Sequence, residues 1–324
     1  MTSPRPTGLI PSTVDALATA GLDPRAVVRI VRTALEEDLG PDGRDVTSEA
    51  TIPADQTDTG ELVARADGVV AGLAVAAAVF DLASRGASRF EAQVKDGTVV
   101  RRGDVLAVVS GPTRALLTAE RTALNLLCRM SGVASHTRRW ADALAGTKAT
   151  VLDTRKTTPG LRVLEKYAVR AGGGTNKRMG LYDVAMIKDN HKLAAGGITA
   201  AYRSVREAFP QVDVQVEVTT RDEATEAVVA GVTFLLCDNM TPGQLRDVVT
   251  AVAGRAELEA TGGLTLDHAR EYGETGVDYL SVGGLTHSSP ILDIALDLRP
   301  QGADPVAGRS EPGTGPAMRR PEGE

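Results

Sequence analysis

Basic side chains concentrate in one stretch of an otherwise acidic chain. Residues 153–192 contain nine lysines and arginines against four acids, whereas the formal net charge of all 324 residues is -6. Glycines run through this stretch, and a glycine lets the backbone come close to a ligand. Because solvated surfaces usually mix charges of both signs, the local excess predicts a pocket for a small ligand with several negative charges.

Four of these cations stand at positions that favour binding. Arg155 and Lys156 occur in the segment DTRKT, Arg178 follows a run of three glycines, and Lys188 lies in MIKDN. An arginine holds a carboxylate or phosphate through two parallel hydrogen bonds, whereas a lysine offers a compact charge. The alternative is that DTRKT is a solvated loop and the glycine run a hinge.

Two acids and two glycine pairs complete the candidate site. Glu217 and Asp238 each follow an apolar run. They could ligate Mg²⁺ directly or through water, accept hydrogen bonds from ribose hydroxyls, stabilise an oxocarbenium ion, or only neutralise nearby lysines. The pairs Gly262-Gly263 and Gly283-Gly284 end two further runs, where backbone N–H groups could bind a phosphate.

The sequence gives little support for a zinc site or a serine-hydrolase site. The four histidines lack zinc spacing, and no GxSxG motif is present. His136 and His268 fit helical patterns and are interpreted as ordinary residues, whereas His191 and His287 are expected near the site. The overall acidity disfavours a nucleic-acid partner.

The cellular setting is predicted from what the sequence lacks. Cys128 and Cys237 stand outside any CxxC motif and are interpreted as buried thiols of a reducing compartment. The N-terminus has no secretory pattern, and no apolar run is long enough to span a bilayer. We therefore expect a cytoplasmic protein without a membrane partner.

The elements that must position these residues follow from a repeat in the second half of the chain. Glu217, Asp238, Thr261 and Gly283 end successive strand-like runs, and helical segments of similar length separate them. Such strand-loop-helix units predict a parallel α/β barrel, in which functional residues gather at the carboxyl ends of the strands.

The first half has a different pattern. Asp23 and Pro24 predict the start of a helix over 24–39, and a loop should follow in GPDGRDVTSEA. Short strands between 59 and 118 flank an alanine-rich helix over 73–84, and a long helix over 116–144 should break near Ser131-Gly132. The segment KDGTVVRRGDVLAVVSG is similar to biotinyl or lipoyl carrier domains, but it lacks a lysine at a hairpin tip, which favours a structural sheet.

Several segments together resemble the quinolinate phosphoribosyltransferase family, also called carboxylating nicotinate-nucleotide pyrophosphorylases. They occur in order between about Glu36 and Leu298: ERTALNLLCRMSGVAS, DTRKTTPGLRVLEKYAVRAGGG, RMGLYDVAMIKDNH, VEVTT, LLCDNM, EATGGL and YLSVGGLTHS. The resemblance implies an α/β fold, with an N-terminal open-faced α/β sandwich and an incomplete parallel α/β barrel of about seven strands. It also implies transfer of a phosphoribosyl group from 5-phosphoribosyl 1-pyrophosphate to quinolinate, with loss of carbon dioxide.

The resemblance also implies domain limits. Residues 23–124 would form the sandwich, to which 287–300 return, and 125–286 would form the barrel. Residues 1–22 and 301–324, rich in Pro, Gly and charge, are expected to be disordered tails.

Residue roles follow from the same resemblance. Arg121 would reach into the site of a neighbouring subunit, so the chain should form a homodimer or a higher oligomer. Lys156, Lys188, Glu217 and Asp238 would be catalytic, and the last two would also hold the Mg²⁺ that accompanies the pyrophosphate. No organic cofactor is expected. The implied substrate contacts are Arg121, Arg155, Lys156, Lys177, Arg178, Lys188, Glu217, Asp238, Gly262, Gly263, Gly283 and Gly284.

Lys177 departs from the family pattern, because a histidine is common before the arginine that corresponds to Arg178. Lysine keeps a positive charge but lacks the flat ring and the acceptor nitrogen. We expect Lys177 to replace the histidine as a substrate contact.

Two rival functions stay open. One is phosphoribosyl transfer to nicotinate or another pyridine without decarboxylation, although a second carboxylate would better match so many cations. The other is a ligand-binding or carrier protein without catalysis, which only the carrier-like segment supports.

Overall fold

The computed structural model describes residues 8–299 as twelve helices, one short 3₁₀ turn and twelve strands. The helices are α1 Pro11–Thr19, α2 Pro24–Leu39, α3 Val46–Thr51, α4 Leu73–Ser84, α5 Thr113–Ala143, α6 Arg162–Ala171, α7 Asp189–Ala195, α8 Ile198–Ala208, α9 Arg221–Val229, α10 Pro242–Val252, α11 Ala269–Gly273 and α12 Gly284–His287. The strands are β1 Thr57–Ala64, β2 Gly68–Val69, β3 Arg89–Ala92, β4 Val99–Val100, β5 Val105–Pro112, β6 Thr150–Leu152, β7 Val184–Ile187, β8 Asp213–Val218, β9 Phe234–Asp238, β10 Glu257–Thr261, β11 Tyr279–Ser281 and β12 Ile294–Leu298.

The first half of the chain forms an antiparallel sheet packed against helices. The strand order is β12-β1-β5-β3, and β12 returns from the end of the described chain to pair with β1. Helix α4 is rich in alanine and buries most of its length, so it packs closely against α5. Because small side chains let helices approach closely, this half needs few aromatic residues for its core.

The second half forms a barrel of parallel strands. The sheet order is β6-β11-β10-β9-β8-β7, and Thr175 adds a one-residue parallel bridge to Leu152 on the free side of β6. This bridge is a seventh strand position, and no ladder joins it to β7 among the described residues. The predicted fold class, a sandwich with an incomplete parallel barrel, is confirmed.

Inward-facing residues of the barrel strands are unusually polar. Glu217, Leu236, Glu259 and Tyr279 are partners in register across β8 to β11, so their side chains lie on the same face of the sheet. Gln215, two residues before Glu217, also points to this face and is fully buried. Barrel interiors are usually filled by branched apolar side chains, so buried charges here point to a function.

Helix α5 crosses the expected boundary between the two halves. It runs unbroken for 31 residues, so the predicted limit at 124/125 falls inside it and the predicted break at Ser131-Gly132 is wrong. The Ser131 hydroxyl donates to the carbonyl of Ala71 and accepts from its N–H, so this stretch of helix is fixed to the first half. Tertiary contacts therefore override the low helix propensity of the Ser-Gly pair.

Two further expectations for the first half are corrected. Part of the expected N-terminal tail is ordered, because α1 packs against α4 and buries Leu17 completely. Part of the expected loop after α2 is helix α3, which Asp45 caps by accepting a hydrogen bond from the N–H of Ser48. Residues 1–7 and the expected C-terminal tail 301–324 lie outside the described residues.

Cys128 and Cys237 are buried free thiols that form no disulfide, as predicted. Over residues 8–299, no helix combines the length and the apolar character that crossing a bilayer requires.

Candidate active site

A cavity of about 940 Å³ opens at the carboxyl ends of the barrel strands. Its wall contains eleven of the twelve residues predicted to bind substrate, and Arg121 is the exception. The eleven are Arg155, Lys156, Lys177, Arg178, Lys188, Glu217, Asp238, Gly262, Gly263, Gly283 and Gly284. Parallel strands bring these distant segments to one mouth, as the repeat predicted.

Lys188 and Glu217 face each other across neighbouring strands. The ammonium of Lys188, just beyond β7, lies 3.1 Å from Oε2 of Glu217 on β8. The Lys188 side chain is half exposed, whereas that of Glu217 is 10% exposed. Lys192 fixes the backbone of Glu217, because its buried ammonium donates to the Glu217 carbonyl at 3.1 Å. The same ammonium donates to the carboxylate of Glu223 at 3.0 Å.

Asp238 ends β9 on the next strand of the barrel. The side-chain amide of Asn239 donates to Oδ2 of Asp238 at 2.9 Å. Asn239 has a positive φ of 53°, and its N–H donates to the carbonyl of Thr261. Gly262 and Gly263 then turn the chain with φ of 92° and 60°, and a side chain at Gly262 would collide with Asn239. The acid and the first glycine pair therefore form one tightly packed edge of the mouth.

The loop with Arg155 and Lys156 is held by groups behind it. Arg162 donates to the carbonyls of Arg155 and Met179, so it joins this loop to the loop after Arg178. The carboxylate of Glu165 is fully buried and accepts from both the N–H and the hydroxyl of Thr158. These contacts leave Arg155 partly exposed and Lys156 exposed at the mouth.

Glu165 in turn pairs with Arg129 on α5. The Arg129 guanidinium lies 2.8 Å from Oε1 of Glu165 and also donates to the carbonyls of Thr286 and Ser289. The long helix therefore anchors the Arg155 loop and the segment after β11 at the same time.

An enclosed ion pair joins the two cationic loops. The ammonium of Lys166 lies 2.5 Å from Oδ1 of Asp153, and both side chains are at most 1% exposed. The same carboxylate accepts from the N–H of Lys177 at 2.9 Å and from the amide of Asn176 at 2.6 Å. Burial raises the pKa of Asp153 and lowers the pKa of Lys166, and their mutual attraction offsets part of both shifts.

Arg178 contributes a mostly buried guanidinium. It is 9% exposed and donates to the carbonyl of Val184 at 3.1 Å, with Met186 sulfur at 3.4 Å. Its pKa is lowered mainly by burial, and the neighbouring charge of Arg155 adds to the effect. Arg155 and Arg178 both line the cavity, so their guanidinium groups are available to an anion bound there.

Lys177 is oriented differently from the other cations. Its ammonium lies 3.3 Å from Oε2 of Glu259 and 2.7 Å from the centroid of the Phe234 ring. Burial lowers the pKa of Lys177, and the attraction of Glu259 opposes this shift. Although Lys177 lines the cavity, its charge points into the barrel.

The second glycine pair lies beside Lys156. A side-chain carbon at Gly283 would come within 2.9 Å of Cδ of Lys156 and 3.2 Å of the His287 ring, so glycine leaves room for both. Helix α12, which follows, is only four residues long. It therefore supplies only a single turn of N–H groups at this edge of the cavity.

The cationic stretch thus divides into two sets. Five of its nine basic residues line the cavity: Arg155, Lys156, Lys177, Arg178 and Lys188. The other four act within the protein, because Arg162, Lys166, Arg170 and Lys192 bind carbonyls, amides or acids. The five are the ones that the family resemblance implied as substrate contacts, whereas the charge pattern by itself did not separate the two sets.

Some residues around the cavity were missed or misinterpreted. His136, expected to be ordinary, lines the cavity, where its ring contacts the Ser289 hydroxyl and accepts from Trp140. Burial lowers the pKa of His136, which favours the neutral ring. His191 is not among the cavity residues, and its Nδ1 accepts from the N–H of Lys188. The helical spacing around His136 offered no signal of the cavity, because it shows only that the residue lies on a helix.

Arg121 lies away from the cavity of its own chain. It is exposed on α5, in the half of the molecule that carries the antiparallel sheet. Arg121 is thus the one predicted substrate contact that is not among the cavity residues.

Comparison with known proteins gives matches along both halves. Residues 45–131 match the model described as quinolinate phosphoribosyl transferase, N-terminal domain, and residues 133–297 match the corresponding C-terminal domain. The chain is 48% identical over 272 residues to the carboxylating nicotinate-nucleotide pyrophosphorylase of Mycobacterium leprae, covering 83% of this chain and 95% of the relative. It is 42% identical over 263 residues to the probable enzyme of that name from Bacillus subtilis, covering 81% and 90%.

A solved structure shows the same arrangement. NadC from Streptococcus pyogenes superimposes with a TM-score of 0.82 at 38% identity, covering 86% of this chain and 98% of that chain. The likeness therefore includes both the sheet-forming half and the barrel.

Proposed function

The chain belongs to the quinolinate phosphoribosyl transferase family, and from this membership we propose that it converts quinolinate and 5-phosphoribosyl 1-pyrophosphate to nicotinate mononucleotide, pyrophosphate and carbon dioxide. This is a step of NAD biosynthesis. The observation that carries the proposal is the barrel mouth, where cations from two loops face acids from neighbouring strands.

The charges of the cavity suit both substrates. Quinolinate is a dianion whose carboxylates fit the forked guanidinium groups of Arg155 and Arg178. The ribosyl donor carries a phosphate and a pyrophosphate, for which the exposed ammonium groups of Lys156 and Lys188 are suitable partners. Bringing two anions together is unfavourable without fixed cations, because both lose hydration.

Transfer requires the pyridine nitrogen to attack C1 of the ribose while pyrophosphate leaves. Positive charge develops on the ribose, and the role proposed for Glu217 and Asp238, which line the cavity, is to stabilise it or to hold the ribose hydroxyls. Lys188, paired with Glu217 at 3.1 Å, keeps this carboxylate oriented toward the cavity. Lys156 would neutralise the departing pyrophosphate.

Decarboxylation then follows from the chemistry of the ring. Ribosylation makes the nitrogen cationic, so breaking the bond between C2 and its carboxylate leaves an electron pair that this charge stabilises. A proton adds at C2 to complete nicotinate mononucleotide. The protein needs only to orient the ring, so an organic cofactor is not required.

Mg²⁺ is proposed to accompany the pyrophosphate. Glu217 and Asp238 supply carboxylate oxygens, which suit a cation that usually takes one or two carboxylates together with phosphate and water ligands. Within residues 8–299, no three His, Cys, Asp or Glu side chains form a metal-binding group. The remaining ligands would therefore come from the substrate and from water, and the ion would offset the charge of the pyrophosphate.

We further propose that the protein acts as a homodimer. Arg121 lies outside its own cavity, and its role would be to extend a guanidinium into the cavity of a second subunit. There it would add a contact for the second carboxylate of quinolinate. A cytoplasmic location also stays a prediction.

A turnover assay tests the reaction. Incubation of the protein with quinolinate, the ribosyl donor and Mg²⁺ should release carbon dioxide and nicotinate mononucleotide in equal amounts. Removal of Mg²⁺ with a chelator should stop both, and readdition should restore both. Nucleotide formed from nicotinate but not from quinolinate would favour the rival transferase, and no turnover of either would contradict the proposed enzyme.

A further inference from the structure

The Lys177 ammonium is enclosed in the barrel rather than open to the cavity. Its nitrogen has essentially no exposed surface and no hydrogen-bond partner of good geometry, and the whole side chain is 11% exposed. Its nearest described partners are Oε2 of Glu259 and the ring of Phe234, with the Tyr279 ring 5.9 Å away. An aromatic face attracts a cation, and more strongly where water is excluded.

Glu259 needs such a partner. Its side chain is 4% exposed, and Oε2 accepts from the amide of Gln215 at 2.7 Å. A buried carboxylate with only a neutral donor would be costly, whereas a nearby cation offsets its charge. Lys177 forms an ion pair with this carboxylate, and the charge of Arg178 also lies near enough to interact with it.

The pair also lies at a partition between two cavities. A second cavity, of about 730 Å³, opens at the amino ends of the barrel strands, where Phe234, Glu257 and Tyr279 begin β9, β10 and β11. Lys177 and Arg178 line both cavities. They therefore form the floor that separates the mouth from the opposite end of the barrel.

We propose that Lys177 is a positioning residue that serves as the internal counter-ion of Glu259, and not a ligand of the substrate. This proposal rests on the proposed function. The ion pair of Lys177 and Glu259 lies between the two cavities. The positive charge of Lys177 offsets the negative charge of Glu259, which would otherwise repel the bound dianion. The carboxylates of quinolinate are then bound by Arg155, Arg178 and an Arg121 from the second subunit. The histidine common at this position in the family is thus replaced by a residue with a different task.

A double-mutant cycle separates the two roles of Lys177. Lys177→Met leaves Glu259 uncompensated beside the substrate, so KM for quinolinate should rise at least about tenfold, which corresponds to about 1.4 kcal/mol. Lys177→Met combined with Glu259→Gln removes both charges, and KM should return to within about threefold of the unmodified protein because the two changes are coupled. Lys148→Met is the control, since Lys148 pairs with Asp278 in an exposed position and should leave KM unchanged.

A double variant whose KM stays as high as that of Lys177→Met would show that the ammonium itself binds quinolinate. Losses that simply add would show that Lys177 and Glu259 do not act as a pair. Either result would overturn the proposal. Turnover by the unmodified protein is measured first, so an inactive protein would contradict the proposed function rather than this inference.

Chemical labelling tests the same point without any substitution. An amine-reactive acylating reagent and mass spectrometry would measure the labelling rate of each lysine in the folded protein. Lys156 and Lys188 should react rapidly, whereas Lys177 should react as slowly as the enclosed Lys166, with or without quinolinate. Labelling of Lys177 as fast as that of Lys188, with protection by quinolinate, would refute the assignment.

Discussion

Asp153 and Lys166 hold the cationic loops together through two charges that are closed off from solvent. The Asp153 carboxylate binds Lys166, Asn176 and the backbone of Lys177, so one side chain fixes the ends of two separate segments. A buried pair of this kind adds little net stability over an apolar pair, but removal of one partner leaves an uncompensated charge. The pair therefore matters through the geometry that it imposes on the site.

Replacement of Asp153 by Asn should destabilise the protein strongly. Lys166 would keep a buried charge without its acid, and the expected loss is about 3–5 kcal/mol in the free energy of unfolding. Urea denaturation followed by circular dichroism would measure it. The control is Glu274→Gln, which breaks the exposed pair with Arg270 and should cost about 0.5 kcal/mol or less. Equal losses in the two variants would mean that the Asp153 pair has no special role.

At the scale of elements, helix α5 connects the two halves and supports the active site. Arg129 on this helix binds both Glu165 and the segment after β11. The glycine at 132 lies where the helix meets the chain at Pro290 and Ile291. The sequence suggested a break here because glycine is a poor helix former, whereas the structure uses glycine for a close approach of backbone to backbone.

Gly132→Ala should therefore destabilise the protein although alanine favours helices. A side-chain carbon at this position would collide with the Pro290 carbonyl and lie 2.8 Å from Cα of Ile291, so backbone would have to move. We expect a loss of about 1–3 kcal/mol, as for overpacked cores. Thermal and urea unfolding would measure it.

Gly243→Ala provides the matched comparison. Gly243 lies in the first turn of α10 and is exposed, and a side-chain carbon there would have only the Thr241 hydroxyl near it, at 4.0 Å, so alanine meets no obstacle. The expected change is neutral or stabilising by up to about 1 kcal/mol, because alanine reduces the freedom of the unfolded chain. A stabilising effect of Gly132→Ala as well would contradict the close-packing explanation.

At the scale of the whole molecule, the arrangement of Arg121 implies that one chain does not contain every group of the proposed site. Arg121 is exposed on α5, whereas the other predicted substrate contacts line the barrel mouth. In a two-fold symmetric dimer, each surface contacts the same surface of its partner, so both subunits would exchange this arginine.

Mixing two inactive variants should then recover activity. In a mixed dimer of Arg121→Ala and Arg155→Ala subunits, one site receives both intact arginines and the other receives neither. Random assortment makes half of the dimers mixed, so about a quarter of the full activity is expected from the symmetry of the dimer. The measurement is turnover after the mixture is unfolded and refolded, with each variant refolded alone as the control. Mixed dimers that are demonstrably present but inactive would exclude a shared site.

Much of the fold and the site followed from local patterns. The repeat of strand and helix indicated the barrel, and because parallel strands end at one mouth, it also indicated that Arg155, Glu217 and Asp238 would meet. The helix at 24–39 was predicted from its cap and apolar spacing, and the helix at 73–84 from its alanine content, so both signals lie within the segments themselves. These features depend on neighbours in sequence, or on a period that every unit repeats.

Only the tertiary structure decided how the charges are used. Lys166 and Lys188 are equally basic in sequence, but one is enclosed against Asp153 and the other faces the cavity beside Glu217. Lys177 points to Glu259, more than eighty residues away, and its role changes accordingly. A residue type determines which charge is available, whereas its partners are distant in the chain. Burial and the position of those partners determine whether the charge supports the protein or remains available for a substrate.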